Sequence, residues 1–183
     1  MDCSEVTMMK QIILLGIVFF APITVLPGQQ QQTELDQLGD KLARHIATKM
    51  PGWQHKRGTV IQGSKGVIVE FWTFANRIVK VSMMQRKSVE EARQNLTNFA
   101  GEEPDAQELK GFGDEAYSWG DGGSNIVFRR GKYTFYVATT ADVERDADAS
   151  SLTREQKSER RKSEMKRLSK EIAKHAADAL DVP

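Results

Sequence analysis

Apolar residues recur every three or four positions over residues 33–50, where Leu35, Leu38, Leu42, Ile46 and Met50 share one face. That period predicts an amphipathic helix. Thr33 suits its N-cap, Glu34 and Asp36 suit the positive end of its dipole, and Pro51-Gly52 stops it. A loop and short strand follow over 53–62, then a turn at 63–66. Over 66–74 Val67, Val69 and Phe71 face one way and Ile68, Trp72 and Phe74 the other, interrupted by Glu70. Apolar residues on both faces predict a central strand covered on both sides. Residues 78–85 return antiparallel, with Val79, Val81 and Met83 on one face. The pattern reverts to helical spacing over 88–100, where Val89, Ala92, Leu96 and Phe99 make a stripe behind the capping box Ser88-Val89-Glu90-Glu91. A polar segment over 102–110 leads to the most strongly marked stretch of the chain.

That stretch, 111–140, reads GFGDEAYSWGDGGSNIVFRRGKYTFYVATT. Gly111 and Gly113 flank Phe112 and mark a sharp turn into a strand, with Asp114 holding the turn through its own backbone. Glu115 opens the strand. Ala116 and Ser118 take one face; Tyr117 and Trp119 take the other. The run GDGG predicts a hairpin to a strand over 125–130, and Gly131-Lys132 a second tight turn to a strand over 133–140. A polar connector follows. Residues 152–180 then form a long helix whose first part, REQKSERRKSE, has no apolar face and reads as solvated or frayed. Its second part carries the stripe Met165, Leu168, Ile172, Ala176 and Ala179, which should dock on the sheet. The fold class is α+β: an antiparallel sheet of about five to seven strands with N-terminal, middle and C-terminal helices packed on it.

Ahead of this lies a different pattern. Lys10 precedes an apolar run over 12–26, interrupted by Pro22 and shorter than the roughly 20 residues a spanning helix needs. Residues 1–28 are expected to be a signal peptide, with 29–183 a single domain, secreted or periplasmic after cleavage. Residues 29–32 are then a flexible polar leader. Leu26 is a poor match two positions before a cut at Gly28, so an uncleaved membrane anchor is the alternative. Met8 or Met9 offers a second start. The only cysteine, Cys3, precedes the apolar run, so the mature chain has no thiol for a disulfide or a lipid anchor. The whole chain balances 26 basic against 25 acidic residues; without 1–28 it keeps 25 and 23, a net of +2. That balance, with export, argues against nucleic acid as a partner.

The run G-F-G-D-E-A-Y, followed by I-V-F-R-R-G-K-Y-x-x-Y-V, resembles a pattern in secreted bacterial domains of unassigned function. These include actinobacterial envelope lipoproteins and the extracellular sensor domains of some receptor kinases. Some are similar to the PsbP-like α/β/α sandwich. The resemblance covers about a sixth of the chain by motif and the remainder by element order. This chain departs from the lipoproteins in lacking an acylated cysteine, and from the sensors in lacking a kinase, a spanning helix and disulfides. The resemblance implies a secreted, non-catalytic fold in which Gly111, Gly113, Asp114, Glu115, Tyr117 and Gly131 shape turns and strands. It carries over no catalytic residue.

The chemistry-bearing residues are sparse. His45, His55 and His175 are the three histidines, with no H-E-x-x-H and no pair at ligand spacing on one helix, so no metal is expected. His45 and His175 read as surface or boundary residues. Residues 142–148 place carboxylates at alternate positions as a calcium loop does. Ala147 stands where the loop needs glycine, and Thr153 where it needs the bidentate glutamate. A solvated connector is the better reading. Asp114, Glu115 and Glu70 are the acid–base candidates, against the simpler reading that Asp114 holds a turn and Glu115 pairs with Arg129 or Arg130 across strands. Trp119, Arg129, Arg130, Lys132 and Tyr133 are the candidate binding surface, since aromatics and cations there suit stacking as well as a sheet core. No cofactor is expected. The leading expectation is an exported, non-catalytic binding or interaction module of the cell envelope whose ligand or partner the sequence does not name. The alternatives are a small secreted hydrolase using carboxylates and a structural assembly subunit.

Overall fold

The computed structural model describes residues 27–58 and 66–181. The expected signal peptide, apart from Pro27 and Gly28, lies outside the described residues, as do the 59–62 end of the first strand and most of the 63–66 turn. The order of elements is α1 (Pro27–Lys49), β1 (Gln54–Arg57), β2 (Val67–Phe74), β3 (Arg77–Gln85), α2 (Val89–Gly101), β4 (Gln107–Leu109), β5 (Glu115–Trp119), β6 (Asn125–Arg130), β7 (Tyr133–Ala141) and α3 (Arg154–Asp181). The seven strands form one antiparallel sheet in the order β1-β2-β3-β7-β6-β5-β4. This is the α+β architecture that the alternating and helical patterns predict. No helix among the described residues is long and apolar enough to cross a membrane.

Strand pleating sorts the core into two. On one face α1 and α3 lie over Ile68, Trp72, Val79, Val81, Met83, Phe135, Val137, Ile126 and Phe128, with Leu35, Leu42, Ile46, Leu168 and Ile172 supplied by the helices. The inward stripes of both helices are those read from the sequence. On the other face α2 covers only the β5–β7 half, where Leu96 packs on Trp119 and Val127, with Phe99, Tyr117 and Tyr136 around them.

Several local readings need correction. Helix α1 begins at Pro27, so residues 29–32 are helical rather than a flexible leader and Thr33 is inside the helix rather than its cap. Proline at a first helical position and a run of glutamines suit this extension. Strand β2 is next to the edge, not central: it lies between β1 and β3, and β7 holds the middle of the sheet. Its Val67–Val69–Phe71 face meets no helix among the described residues, because α2 reaches only the other half of the sheet. Val89 is 49 % exposed and drops out of the α2 stripe. The Ser88 hydroxyl does accept from Glu91 N–H at 3.1 Å, but Glu91 returns its carboxylate to Lys87 N–H, also 3.1 Å. The 102–110 segment contains an edge strand, β4, and the 142–151 connector contains two 3₁₀ turns, Val143–Arg145 and Ala149–Ser151.

Candidate functional site

The glycine-rich signature forms a clasp between strands. Gly113 sits at φ +62°, which lets Asp114 N–H reach Arg129 C=O at 2.7 Å. The Asp114 carboxylate then accepts from Gly131 N–H at 2.8 Å and from Arg129 at 2.9 Å. Glu115 lies opposite Arg129 in the β5–β6 register and pairs with it at 3.3 Å, as the strand pattern predicts, and Arg93 of α2 reaches the same oxygen at 3.1 Å. Arg129 itself is 4 % exposed. Gly111, Gly113, Asp114, Glu115 and Tyr117 border a shallow hollow of about 180 Å³. The other aromatic and basic candidates separate. Trp119 is buried beneath α2, its ring stacked on Tyr136 at 5.7 Å. Lys132 and the Tyr133 hydroxyl both turn to Glu34 of α1, at 2.9 and 3.2 Å. The Lys132 hydrogen bond holds the Glu34 carboxyl below the usual carboxylate range. Arg130 extends toward Asp114 at 3.6 Å. These five residues therefore meet no common ligand surface.

Glu70 is fully buried on the α1/α3 face, and both its oxygens are engaged. Arg57 donates to one at 2.7 Å and His55 lies 2.8 Å from the other. Arg57 continues to Asp40 at 2.8 Å. Helix α1 passes close enough only because residue 39 is glycine: a Cβ there would stand 2.7 Å from both Glu70 Oε1 and Arg57 Nη2. Register places Glu70 and Glu115 on opposite faces of the sheet, so the two acid–base candidates do not converge.

Two histidines do converge. His45 of α1 and His175 of α3 make an edge contact with ring centroids 5.5 Å apart. His45 Nε2 and His175 Nδ1 are buried without a hydrogen-bond partner among the described residues. Burial first, and then the neighbouring His45, push the His175 imidazole below its usual range. The available signal was position: each histidine immediately precedes a core residue, Ile46 and Ala176. No group of three or more histidine, cysteine, aspartate or glutamate side chains suited to a metal occurs among the described residues.

A concavity lies where α3 runs past the end of β7. The reciprocal cap between Thr153 and Gln156, with contacts of 2.8 and 3.2 Å, starts this helix firmly, so the segment expected to be solvated or frayed is helical and largely exposed. Arg154, Lys157, Ser158 and Arg161 fall in phase with Met165, on the stripe that becomes core further along. All five line a cleft of about 690 Å³ whose other walls are Ser124, Thr140, Ala141, Asp142, Val143, Glu144 and Asp121. Its floor is the small cluster of Ala141, Val143 and Met165. The far wall is braced. Arg77 donates to both oxygens of Asp146 at 2.6 and 2.8 Å and to Glu164 at 3.2 Å, tying β3 to the connector and to α3. Asp146 is thus pinned, not solvated as its alternating pattern suggests, and the Arg77 hydrogen bonds hold its carboxyl below the usual range. In the cleft Arg161 approaches Asp121 at 3.6 Å, and Asp142 is taken by Glu144 N–H at 3.2 Å and by Arg145 at 3.1 Å. The side chains of Arg154, Lys157 and Glu144 form no ion pair with any described residue.

A second groove of about 690 Å³ lies on the half of the sheet that α2 does not reach, bounded by Gln54, Lys56, Gly58, Phe71, Thr73 and Ile78, with Ile78 47 % exposed. No protein-family model, curated protein or solved structure matches this chain.

Proposed function

We propose that this chain is an exported, non-catalytic binding module of the bacterial cell envelope, and that the cleft beneath the first half of α3 is where it binds. One observation carries the reading. The inward stripe of α3 changes from apolar to Arg154, Lys157, Ser158 and Arg161 where the helix overhangs the sheet, and the space it faces is left open. Concave sites with a few convergent polar groups over an apolar floor are where proteins take small ligands. The charged Lys10 and the apolar run over 12–26 support export.

The test is native mass spectrometry of the protein recovered from its own host's envelope fraction, beside the double variant Arg154→Ala/Lys157→Ala. The expected wild-type species starts near Gln29 and carries extra mass that the variant loses. A ligand retained by the variant would remove the cleft from the reading. A chain still carrying residues 12–26 would make it a membrane-anchored protein.

A further inference from the structure

We infer that the cleft takes a zwitterion, a small molecule with an acidic group at one end and an amino group at the other, of which a short peptide is the simplest chemical class. This rests on the cleft being the binding site. The two walls carry opposite charge. Helix α3 contributes Arg154, Lys157 and Arg161, while the 3₁₀ turn and the β5–β6 hairpin contribute Glu144, Asp142 and Asp121. Internal pairing removes Arg161, Asp121 and Asp142. Arg161 and Asp121 face each other at 3.6 Å, and both Asp142 oxygens are engaged. What remains unpaired is cationic on α3 (Arg154 and Lys157) and anionic on the turn (Glu144).

A simple polyanion would be drawn to α3 but repelled by Glu144; a simple cation would meet the reverse. A ligand carrying both charges satisfies both walls at once. The floor of Ala141, Val143 and Met165 offers nothing to hydrogen-bond and suits small aliphatic substituents between the charged ends. Ser124, Ser158 and Thr140 supply hydroxyls that can both donate and accept, which fits peptide groups. The cleft volume of about 690 Å³ accommodates several residues rather than a single amino acid.

The probes are alanine oligomers of one to four residues, each also as the N-acetylated and the C-amidated form, titrated calorimetrically into the mature protein. The expected result is binding by the free oligomers, with each blocked form about ten-fold weaker, the size of one lost charge-assisted contact. Glu144→Gln should abolish the penalty for acetylation, and Arg154→Ala/Lys157→Ala the penalty for amidation. Arg154 and Glu144 are exposed and Lys157 is half-buried, and none of the three side chains forms an ion pair with a described residue. Free and blocked forms that bind equally, or an acetylated form that binds tighter, would overturn the zwitterion and leave the cleft. No binding by any oligomer, with envelope-derived mass still lost in the Arg154→Ala/Lys157→Ala variant, would also overturn the zwitterion alone. Binding unaffected by all three substitutions would overturn both.

Discussion

Gly39→Ala puts two physical effects in direct opposition. Gly39 lies inside α1, where alanine is ordinarily better by about 1 kcal/mol. Here the added Cβ would stand 2.7 Å from Glu70 Oε1 and 2.7 Å from Arg57 Nη2, well inside the roughly 3.5 Å at which non-bonded atoms rest. Glu70 is fully buried and has nowhere to go, so Arg57, whose side chain is 35 % exposed, must swing away. That leaves the buried carboxylate with His55 alone. Breaking a buried pair costs about 3–5 kcal/mol when nothing replaces the partner; water can still reach the Arg57 side, which brings the loss to about 2–3 kcal/mol. After the gain in helix propensity, the net is a destabilisation of about 1–2 kcal/mol, or about 2–8 °C in Tm for a domain of this size. Urea denaturation with an unchanged slope measures it. Gly101→Ala is the control. It ends α2 with nothing within 4 Å of its added Cβ, so the same substitution should be neutral or stabilising. A Gly39→Ala variant more stable than wild type would refute the claim that the glycine exists to admit the Arg57–Glu70 pair.

The two glycines of the signature should respond differently: Gly113→Ala would drive a Cβ into the Arg129 carbonyl and should cost at least about 3 kcal/mol, whereas Gly111→Ala, at φ +85° with open space around it, should cost about 1 kcal/mol. Equal losses in denaturant midpoint would show that φ alone matters at both. The His45–His175 contact predicts a pH dependence. His175 is depressed in the folded state, so below about pH 6.5 the unfolded chain binds the proton first and stability falls as pH drops toward the folded pKa. Glu171 and Asp178 on α3 oppose the depression and Lys49 on α1 adds to it. Denaturant midpoints between pH 7.5 and 5 should decline in wild type and decline less in His175→Gln; parallel slopes would assign the loss elsewhere. The carboxylates Glu34, Asp146 and Glu164, depressed by their hydrogen bonds and ion pairs, protect the fold at neutral pH and release that stability only below about pH 4.5.

The amino-acid sequence by itself determined most of the helices and strands, though not the 29–32 start of α1 or the edge strand β4, because both properties depend on spacing within a few positions. The stripes of α1 and the second half of α3, the hairpins at the glycine turns and the pairing of Glu115 with Arg129 or Arg130 were all legible in this way, and the register chose Arg129. Gly113 was legible as a turn, though not as the close approach to Arg129 that makes it indispensable. What tertiary structure alone decided was adjacency between distant elements. The period of β2 says that both faces are apolar; only the sheet order, and the reach of α2 over just half the sheet, says that one of them has no helix over it among the described residues. Glu70 reads as an isolated acid until β1 brings His55 and Arg57 to it and Gly39 lets α1 close over them. His45 and His175 are 130 residues apart and meet through helix packing. The charged start of α3 reads as solvated because hydropathy records polarity, not direction. The phase it shares with Met165 sets it along the rim of the cleft, and that cleft exists only because the connector after β7, braced by Arg77, stands opposite.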